Sequence, residues 1–246
     1  MTSREEGVEY TFASMEASAT DSVEFKLSSD QSLLVYFGRE ITLQANERVR
    51  RLLRLLETAP IAGIRNLHPA YCSLLVKFDA LKLQHDELEA ILSGYLNRLG
   101  EVHLPEPRLV EIPVCYGGEF GPDLAEVSAM HGLTPAQAIE LHTSTSYLVY
   151  FLGFAPGFAY LGELPEALVT PRLATPRRSV PAGSVGIAGN QTGVYPIATP
   201  GGWRILGRTP TAMFRVEVQG LSLLAIGDRV RFVPISSEQF RALENK

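Results

Sequence analysis

The 246-residue sequence predicts an α+β unit followed by a β-barrel. Strand-like and helical apolar patterns alternate in the first part of the chain, whereas short apolar runs separated by Gly, Pro and Asp dominate from Ser146 onward. A stiff, polar segment, Leu104-Pro105-Glu106-Pro107, stands between the two patterns. We therefore expect a flexible tail at residues 1–21, an α+β domain at 22–104 and a barrel domain at 105–246.

The first domain has the predicted element order ββαββα, which suggests a small α+β sandwich. Apolar residues recur at helical spacing from Thr42 to Glu57 and from about Asp86 to Leu99, and the two runs end at Pro60 and Gly100. The four predicted strands are Val23–Leu27, Leu33–Phe37, Ile61–Leu67 and Tyr71–Phe78.

The second domain is predicted to begin with a strand at Arg108–Val114 and two short helices. Pro122 and Thr134-Pro135 mark the helix starts, and Gly132 ends the first helix. The many short strands that follow are typical of a closed barrel. They are Tyr147–Leu152, Val194–Ala198, Trp203–Leu206, Phe214–Val218, Ser222–Ile226 and Arg229–Val233.

Charge and composition exclude several classes of protein. A net charge of −5 argues against a nucleic-acid binder, which needs clustered basic residues. No apolar run reaches the roughly 18 residues of a membrane helix, and the first residues resemble neither a secretory nor a transit signal, so we expect no membrane contact and a cytoplasmic location. Cys72 and Cys115 lack metal-ligand spacing, which predicts reduced structural thiols and no metal site.

The segment from Gly153 to Pro210 has a distinctive composition. It holds ten of the 21 glycines, eight of the 16 prolines and five arginines, with no lysine or aspartate. Glycine and proline together favour ordered loops and tight turns, and the many aromatic residues of the segment favour burial over disorder. Arginine without lysine suggests planar, bidentate recognition of carboxylate or phosphate. The segment is therefore predicted to form a rigid anion-contacting site.

Within this segment, four side chains are candidate site residues. Arg177 and Arg208 each follow a stiff Pro or Gly, and the segment contains only two acidic residues, so contact with a ligand or partner is favoured over a local ion pair. For Arg172 both alternatives stay open. The carboxamide of Gln191 can recognise an amide or lactam as donor and acceptor, or it can brace its own loop.

Outside the segment, His142 ends a predicted helix just before a central strand, where it can act as acid, base or hydrogen-bond donor; the alternative is a helix C-cap. The run Gly183–Gly189 resembles a phosphate-binding loop only superficially, because it lacks the Gly-Lys-Ser/Thr ending. We therefore expect no cofactor on this chain alone. The two short helices imitate a helix-turn-helix but have no basic face for DNA.

A set of long motifs in the second domain is specific. They are YLVYFLGFAPGFAYL at 147–161, Thr175-Pro176-Arg177, VPAGSVGIAGNQTG at 180–193, Tyr195-Pro196 and TPGGWRILGRTP at 199–210. The motifs resemble the KipI-type family, which includes the 5-oxoprolinase B subunits and allophanate hydrolase subunit 1, and the resemblance extends from about Ser22 to Pro234. It implies a ferredoxin-like N-terminal domain and a cyclophilin-like barrel. Together with the reasoning above, it predicts catalytic roles for His142, Arg177 and Arg208, and substrate-binding roles for Gln191, Tyr195 and Arg172.

The resemblance also implies an activity. Such a chain would be the B subunit of an ATP-dependent 5-oxoprolinase that hydrolyses 5-oxoproline to glutamate, inactive alone, with ATP used by the assembled complex. The implied partners are an A subunit of the LamB/YcsF type and a C subunit of the biotin-dependent carboxyltransferase-like type, the latter packing on the barrel. Two alternatives stay open: an inhibitor of a sensor histidine kinase, and a carboxyltransferase-like component of urea or allophanate metabolism. Prolyl isomerase activity would rest on fold analogy alone.

Overall fold

The structure is a computed structural model that describes residues 23–215 and 221–244. These residues form a four-stranded antiparallel sheet with two helices, a closed seven-stranded barrel, and shorter elements around the barrel. The predicted tail at residues 1–21 lies outside the described residues. In the described part of the chain, no helix combines the length and the apolar character needed to cross a membrane.

The first sheet and its helices follow the predicted order ββαββα. Their bounds are β1 Glu24–Ser29, β2 Ser32–Tyr36, α1 Leu43–Thr58, β3 Ile64–Pro69, β4 Ser73–Phe78 and α2 His85–Leu96. The side chain of Thr42 accepts a hydrogen bond from the Ala45 amide and so caps the start of α1. Alternate residues of β2 and β4 pack in one core with the apolar stripes of both helices; the strand residues are Leu33, Val35, Leu74, Val76 and Phe78.

The expectation of a ferredoxin-like N-terminal domain is wrong. That fold has the order βαββαβ, with a helix between its first two strands. Here β1 and β2 form an antiparallel hairpin, whose turn is held by a 2.7 Å hydrogen bond between the Ser29 and Ser32 hydroxyls. A second hairpin, β3–β4, adds to β2, which gives the strand order β1-β2-β4-β3. Two hairpins therefore replace the crossover connections of the expected fold.

Seven strands from the second half of the chain close into a barrel. They are β5 Leu109–Tyr116, β6 Tyr147–Leu152, β7 Ala159–Gly162, β9 Ser184–Ala188, β10 Gln191–Val194, β12 Arg204–Arg208 and β13 Arg229–Pro234. Their order around the barrel is β10-β7-β6-β13-β5-β12-β9. β13 runs parallel to β5 and antiparallel to β6, and thereby joins the two ends of the domain. The cyclophilin-like expectation thus fits only in part, since the sheet is closed but has seven strands.

Shorter elements surround the barrel. They are α3 Leu124–Met130, α4 Pro135–Ser144, β8 Arg177–Val180, β11 Thr199–Gly201 and α5 Ser237–Glu244. α4 begins with a capping box between Thr134 and Gln137, with Pro135 in its first turn. β8 and β11 form a separate two-stranded sheet.

Several strand predictions differ from the structure. The glycine-rich run Gly183–Gly189, for which no strand was predicted, contains the buried strand β9. The strand predicted at Val194–Ala198 shares only Val194 with β10, so that prediction is wrong. Glycine hides the alternation because Gly186 pairs with Gly193, where a Cβ would meet neighbouring atoms at about 3.0–3.2 Å. The predicted strand Ser222–Ile226 is reduced to a single bridge, and the one at Phe214–Val218 runs beyond the described residues.

The sheet unit and the barrel touch through α1. Asn46 is fully buried, and its Nδ2 donates hydrogen bonds to the carbonyl oxygens of Tyr71 at 3.1 Å and of Tyr150, in β6, at 3.3 Å. Ile226, beyond the barrel strand β12 in the sequence, packs against the core of the sheet unit. The α1 helix therefore fixes the β3–β4 turn against the barrel, while the predicted domain boundary at residue 104 stays a prediction.

Candidate functional site

Three tyrosines meet where the β3–β4 turn touches the barrel, and we call Tyr71, Tyr160 and Tyr195 the tyrosine cluster. Tyr71 comes from the turn, Tyr160 from β7, and Tyr195 directly follows β10. The rings of Tyr71 and Tyr160 lie 5.7 Å apart, and Phe158 links Tyr160 to Tyr195 with centroid distances of 4.9 and 5.5 Å. The cluster thus combines side chains from both halves of the molecule.

Aromatic neighbours fix these rings. Phe151 stacks on Tyr160 at 4.5 Å and meets Tyr71 edge-on at 4.8 Å. Behind them, Trp203 packs edge-on against the buried Phe158 at 5.5 Å. Such contacts leave the rings little rotamer freedom, so the tyrosine hydroxyls are held in place before any ligand binds.

Arg172 supplies positive charge beside the cluster. Its side chain is exposed and makes no hydrogen bond or ion pair with any residue that the structure describes. Burial raises the pKa of all three tyrosines, and the Arg172 charge opposes that rise in each of them. An arginine without a counter-ion above a group of hydroxyls is suited to bind a carboxylate.

The hydroxyl of Tyr71 is buried without a hydrogen bond of normal geometry in the described part of the chain. Gln191 nevertheless lies near enough for its side chain to oppose the rise that burial imposes on the pKa of Tyr71. A buried hydroxyl without a partner costs about 1–3 kcal/mol, so a ligand that satisfies it gains that amount. The Tyr71 hydroxyl and the Gln191 carboxamide therefore lie side by side and form a donor and acceptor set that a ligand can share.

The structure pairs Arg177 with a buried aspartate, so the expectation that no carboxylate lies near it is wrong. Arg177 Nη2 donates to Asp123 Oδ1 at 2.7 Å, and Asp123 Oδ2 accepts a hydrogen bond of 2.6 Å from the Ile205 amide. Asp123 precedes α3, and the pair ties that helix to β8 and β12. Arg177 is near enough to oppose the raised pKa of Tyr195, and its catalytic role stays a prediction.

Arg208 is engaged elsewhere on the barrel. Its Nε donates to the Ala182 carbonyl at 2.8 Å, and its guanidinium lies 5.9 Å from the ring centroid of Phe240 in α5. Nη2 also lies 3.9 Å from Glu244 Oε1. These contacts hold α5 against the barrel, and the catalytic role of Arg208 stays a prediction.

His142 lies in the barrel interior and is fully buried. The Tyr116 hydroxyl lies 2.7 Å from its Nδ1, and its Nε2 lies 2.9 Å from Thr192 Oγ1, which donates to the Gly186 carbonyl. Burial lowers the pKa of His142 from 6.5 to about 3, so the ring is neutral. A neutral ring that donates through Nε2 and accepts through Nδ1 leaves no polar atom unpaired in the hydrogen-bonded row of Tyr116, His142 and Thr192. We call these three side chains the His142 chain. The catalytic role of His142 stays a prediction.

Of the six predicted site residues, the structure brings Arg172, Gln191 and Tyr195 together. Sequence reasoning missed Tyr71 and Tyr160 as site residues. Tyr160 stood inside the longest family motif, but nothing in the sequence of the β3–β4 turn indicated that Tyr71 would reach the barrel. That contact depends on the α1–turn hydrogen bonds of Asn46, which are visible only in three dimensions.

Comparison with known proteins gives consistent matches. A family model described as "Carboxyltransferase domain, subdomain C and D" matches residues 23–224. The 5-oxoprolinase B subunit of Bacillus subtilis is 43% identical over 227 residues, covering 88% of this chain and 95% of that protein. The B subunit from Escherichia coli O157:H7 is 48% identical over 213 residues, covering 85% and 94%. The urea amidolyase of Saccharomyces cerevisiae is 23% identical over 251 residues, covering 88% of this chain and 13% of that protein.

Among solved structures, the crystal structure of TTHA0988 superposes with a TM-score of 0.74 at 39% identity. The match covers 84% of this chain, which spans about 40% of the length of TTHA0988. The identity to the two 5-oxoprolinase B subunits over nearly their whole lengths confirms the family resemblance found from the barrel motifs. The chain carries the carboxyltransferase domain, subdomain C and D, and belongs to the family of 5-oxoprolinase B subunits.

Proposed function

We propose that this chain is the B subunit of an ATP-dependent 5-oxoprolinase and that the tyrosine cluster binds 5-oxoproline. The observation that carries the second part is the combination, at one place, of an unpaired Arg172 with the unsatisfied hydroxyl of Tyr71 and the carboxamide of Gln191. 5-Oxoproline presents a carboxylate and a lactam amide on a small ring. The carboxylate suits Arg172, and the amide suits a side chain that both donates and accepts, as Gln191 does.

In this proposal the chain orients the substrate while its partners supply the phosphate chemistry. ATP would phosphorylate the lactam oxygen, water would add to the activated carbon, and release of phosphate with opening of the ring would give glutamate, ADP and phosphate. Hydrogen bonds from Gln191 and Tyr71 would hold the lactam amide and orient its oxygen toward the phosphoryl donor. The glycine-rich run that most resembles a phosphate loop is strand β9, which supports an ATP site elsewhere in the complex.

The partners we propose are a LamB/YcsF-type A subunit and a carboxyltransferase-like C subunit, in a cytoplasmic complex. The loop Leu152–Gly157 is the part of the barrel we assign to the contact with the C subunit. Phe154 at its tip is 65% exposed and has a φ of 68°, an unusual conformation for a non-glycine residue. Phe158, another phenylalanine of the same motif, is buried, so the proposed contact rests on Phe154.

The test is reconstitution. The purified chain alone is expected to show no 5-oxoproline-dependent ATP hydrolysis, and mixing it with the A and C subunits is expected to restore hydrolysis, measured as release of phosphate and glutamate. Omitting each component in turn is the control. Turnover by the isolated chain, or full turnover by the A and C subunits without it, would contradict the proposal.

A second candidate is a carboxyltransferase-like role in urea or allophanate metabolism. The carboxyltransferase description of the family model and the similarity to a urea amidolyase favour it. The same reconstituted complex distinguishes the two when it is supplied with urea, allophanate or 5-oxoproline as the single substrate. Turnover of 5-oxoproline alone supports the first proposal, and turnover of urea or allophanate supports the second.

A further inference from the structure

A cavity of about 350 Å³, separate from the tyrosine cluster, lies between the two halves of the molecule. Its walls come from α1, from the connecting segment at residues 104–108, and from the loop at residues 225–228 that leads into β13. None of its lining residues belongs to the tyrosine cluster or its neighbours described above. Ligand cavities of this volume hold small metabolites.

Arg50 of α1 reaches into this cavity with unused hydrogen-bonding capacity. Its Nε is buried, and its guanidinium makes no hydrogen bond or ion pair with the residues described, 23–215 and 221–244. A Cβ atom built on Gly227 would lie 2.8 Å from Arg50 Nη1, so the guanidinium packs directly on the backbone of that loop. A buried donor of this kind is rare, because almost all buried polar atoms have partners.

The charges around Arg50 do not neutralise it. Burial lowers its pKa, Glu47 opposes that effect, and the charges of Arg229 and Arg51 lower the pKa further. Glu47 is itself held by Arg51, whose Nε and Nη2 both donate to Glu47 Oε1 at 3.0 and 2.7 Å. Arg50 is therefore a partly buried cation, and the glutamate whose charge acts on it already has an arginine partner.

The other charged side chains of the cavity wall are largely paired with one another. Arg108 binds Asp228 through two hydrogen bonds, of 2.9 and 2.5 Å, and Arg54 lies 3.9 Å from Glu57. Because these pairs cancel, the unpaired charges of the cavity wall as described are the partly buried cation of Arg50 and the exposed carboxylate of Glu106.

The remaining wall is apolar, with Leu53, Leu104, Pro105 and Ile226 among its members.

We propose that this cavity binds a small monocarboxylate, with the carboxylate on the Arg50 guanidinium and an aliphatic body against the apolar wall. A planar guanidinium fork matches a carboxylate in two parallel hydrogen bonds. The acidic residues in the wall disfavour a phosphate dianion, which would bring a second negative charge beside them. The ligand bridges α1 and the barrel loop, so its binding stabilises the folded chain against heat.

The experiment titrates the full chain with sodium pentanoate by isothermal calorimetry, using pentanamide as the uncharged analogue and inorganic phosphate as the dianion. We expect a pentanoate Kd in the millimolar range or tighter, at least tenfold weaker binding for the other two, and at least tenfold weaker pentanoate binding by Arg50→Gln. Arg48→Gln is the matched control, because Arg48 belongs to the same helix but packs over the Phe37 ring and does not line the cavity. Its pentanoate Kd should stay within about twofold of the unmodified chain.

No heat signal with pentanoate up to about 50 mM, or equal binding by the Arg50→Gln and Arg48→Gln variants, would overturn the proposal. Arg50→Met tests it without a ligand. Because the Arg50 guanidinium is partly buried and unpaired, its replacement by an aliphatic chain of similar length should leave the melting temperature equal to or higher than that of the unmodified chain. A fall of more than a few degrees in both Arg50→Met and Arg50→Gln would show that Arg50 is a structural residue, and it would also overturn the proposal.

Discussion

The His142 chain inside the barrel and the tyrosine cluster at its edge both combine tyrosine hydroxyls with one other titratable side chain. In the barrel, Tyr116, His142 and Thr192 lie in a row at 2.7 and 2.9 Å and satisfy one another. In the cluster, the Tyr71 hydroxyl has no hydrogen bond of normal geometry among the described residues. Adjacent residues of β10 serve the two sites, since Thr192 belongs to the first and Gln191 to the second.

The difference shows what each polar group contributes. A fully paired buried network makes a core rigid and specific, because any rearrangement leaves a polar atom without a partner. A group of fixed side chains with unused donors and acceptors is instead prepared to bind something else. By this criterion the cluster is the better candidate for ligand binding. The His142 chain is the better candidate for a role in stabilising the folded barrel.

The largest expected effect separates stability from activity in the barrel. His142→Ala leaves the Tyr116 hydroxyl without a partner, removes one of the two hydrogen bonds of Thr192 Oγ1 and opens a cavity, so we expect the free energy of unfolding to fall by about 3–4 kcal/mol. Urea denaturation at pH 7 measures this. His131→Ala is the control, since the partly exposed His131 makes a single hydrogen bond, to Thr170, and its loss should remove only about 1 kcal/mol. A stable His142→Ala chain that assembles but does not support turnover would make His142 catalytic and reverse the comparison.

The pH dependence of stability comes next. Because burial lowers the pKa of His142 to about 3 in the folded chain, the unfolded chain binds the extra proton between about pH 6.5 and pH 3. The folded state is therefore destabilised as the pH falls through that window, by about 2 kcal/mol between pH 7.5 and pH 5 from this residue alone. Comparing urea denaturation of the unmodified chain with that of His142→Gln isolates the contribution. Identical pH profiles would mean that the ring is protonated or solvated in the folded chain.

The third prediction tests whether Arg172 binds substrate beside the tyrosine cluster. Arg172→Lys keeps the charge but loses the planar fork, so turnover of 5-oxoproline by the reconstituted complex should fall about tenfold, equivalent to ~1.4 kcal/mol, with an unchanged melting temperature. Arg178→Lys is the matched control, because Arg178 is also exposed and makes no ion pair with the described residues. Full activity of the Arg172→Lys complex would remove Arg172 from substrate binding. Equal losses in both variants would indicate a general charge effect.

Local signals in the sequence predicted much of the fold. The first helix was expected from Thr42 to Glu57 and spans Leu43–Thr58, because a capping threonine and a following proline define its ends. β9 was missed, since a close-packed strand with Gly186 at its centre lacks the alternation that marks a strand. The ferredoxin-like expectation was wrong because strand order depends on which hairpins pair, which the element order does not determine.

The candidate site was less predictable, because its contacts join distant segments. Arg177 was expected to be free of local carboxylates, yet its partner Asp123 lies 54 residues earlier in the chain. His142 attracted a catalytic role from its type and position, whereas its burial and its two partners are properties of the closed barrel. Arg172, Gln191 and Tyr195 were predicted as substrate-binding residues, and the structure brings them together around Tyr71 and Tyr160; their role in binding stays a prediction.

The smallest expected effect concerns the hydroxyl of Tyr71, and it tests the cluster most directly. Tyr71→Phe removes only the oxygen atom. Because that oxygen is buried without a good hydrogen bond, its loss should change the free energy of unfolding by less than about 0.5 kcal/mol or stabilise the chain slightly.

If the hydroxyl donates to the lactam oxygen, turnover by the reconstituted complex should fall about fivefold, close to the ~1 kcal/mol of a neutral hydrogen bond. Tyr116→Phe is the matched control, because it removes a hydroxyl that is already paired with His142 and should lower stability by about 1–3 kcal/mol while the folded complex keeps its activity. The opposite pattern, with Tyr71→Phe destabilised and Tyr116→Phe inactive but stable, would exchange the roles of the two sites.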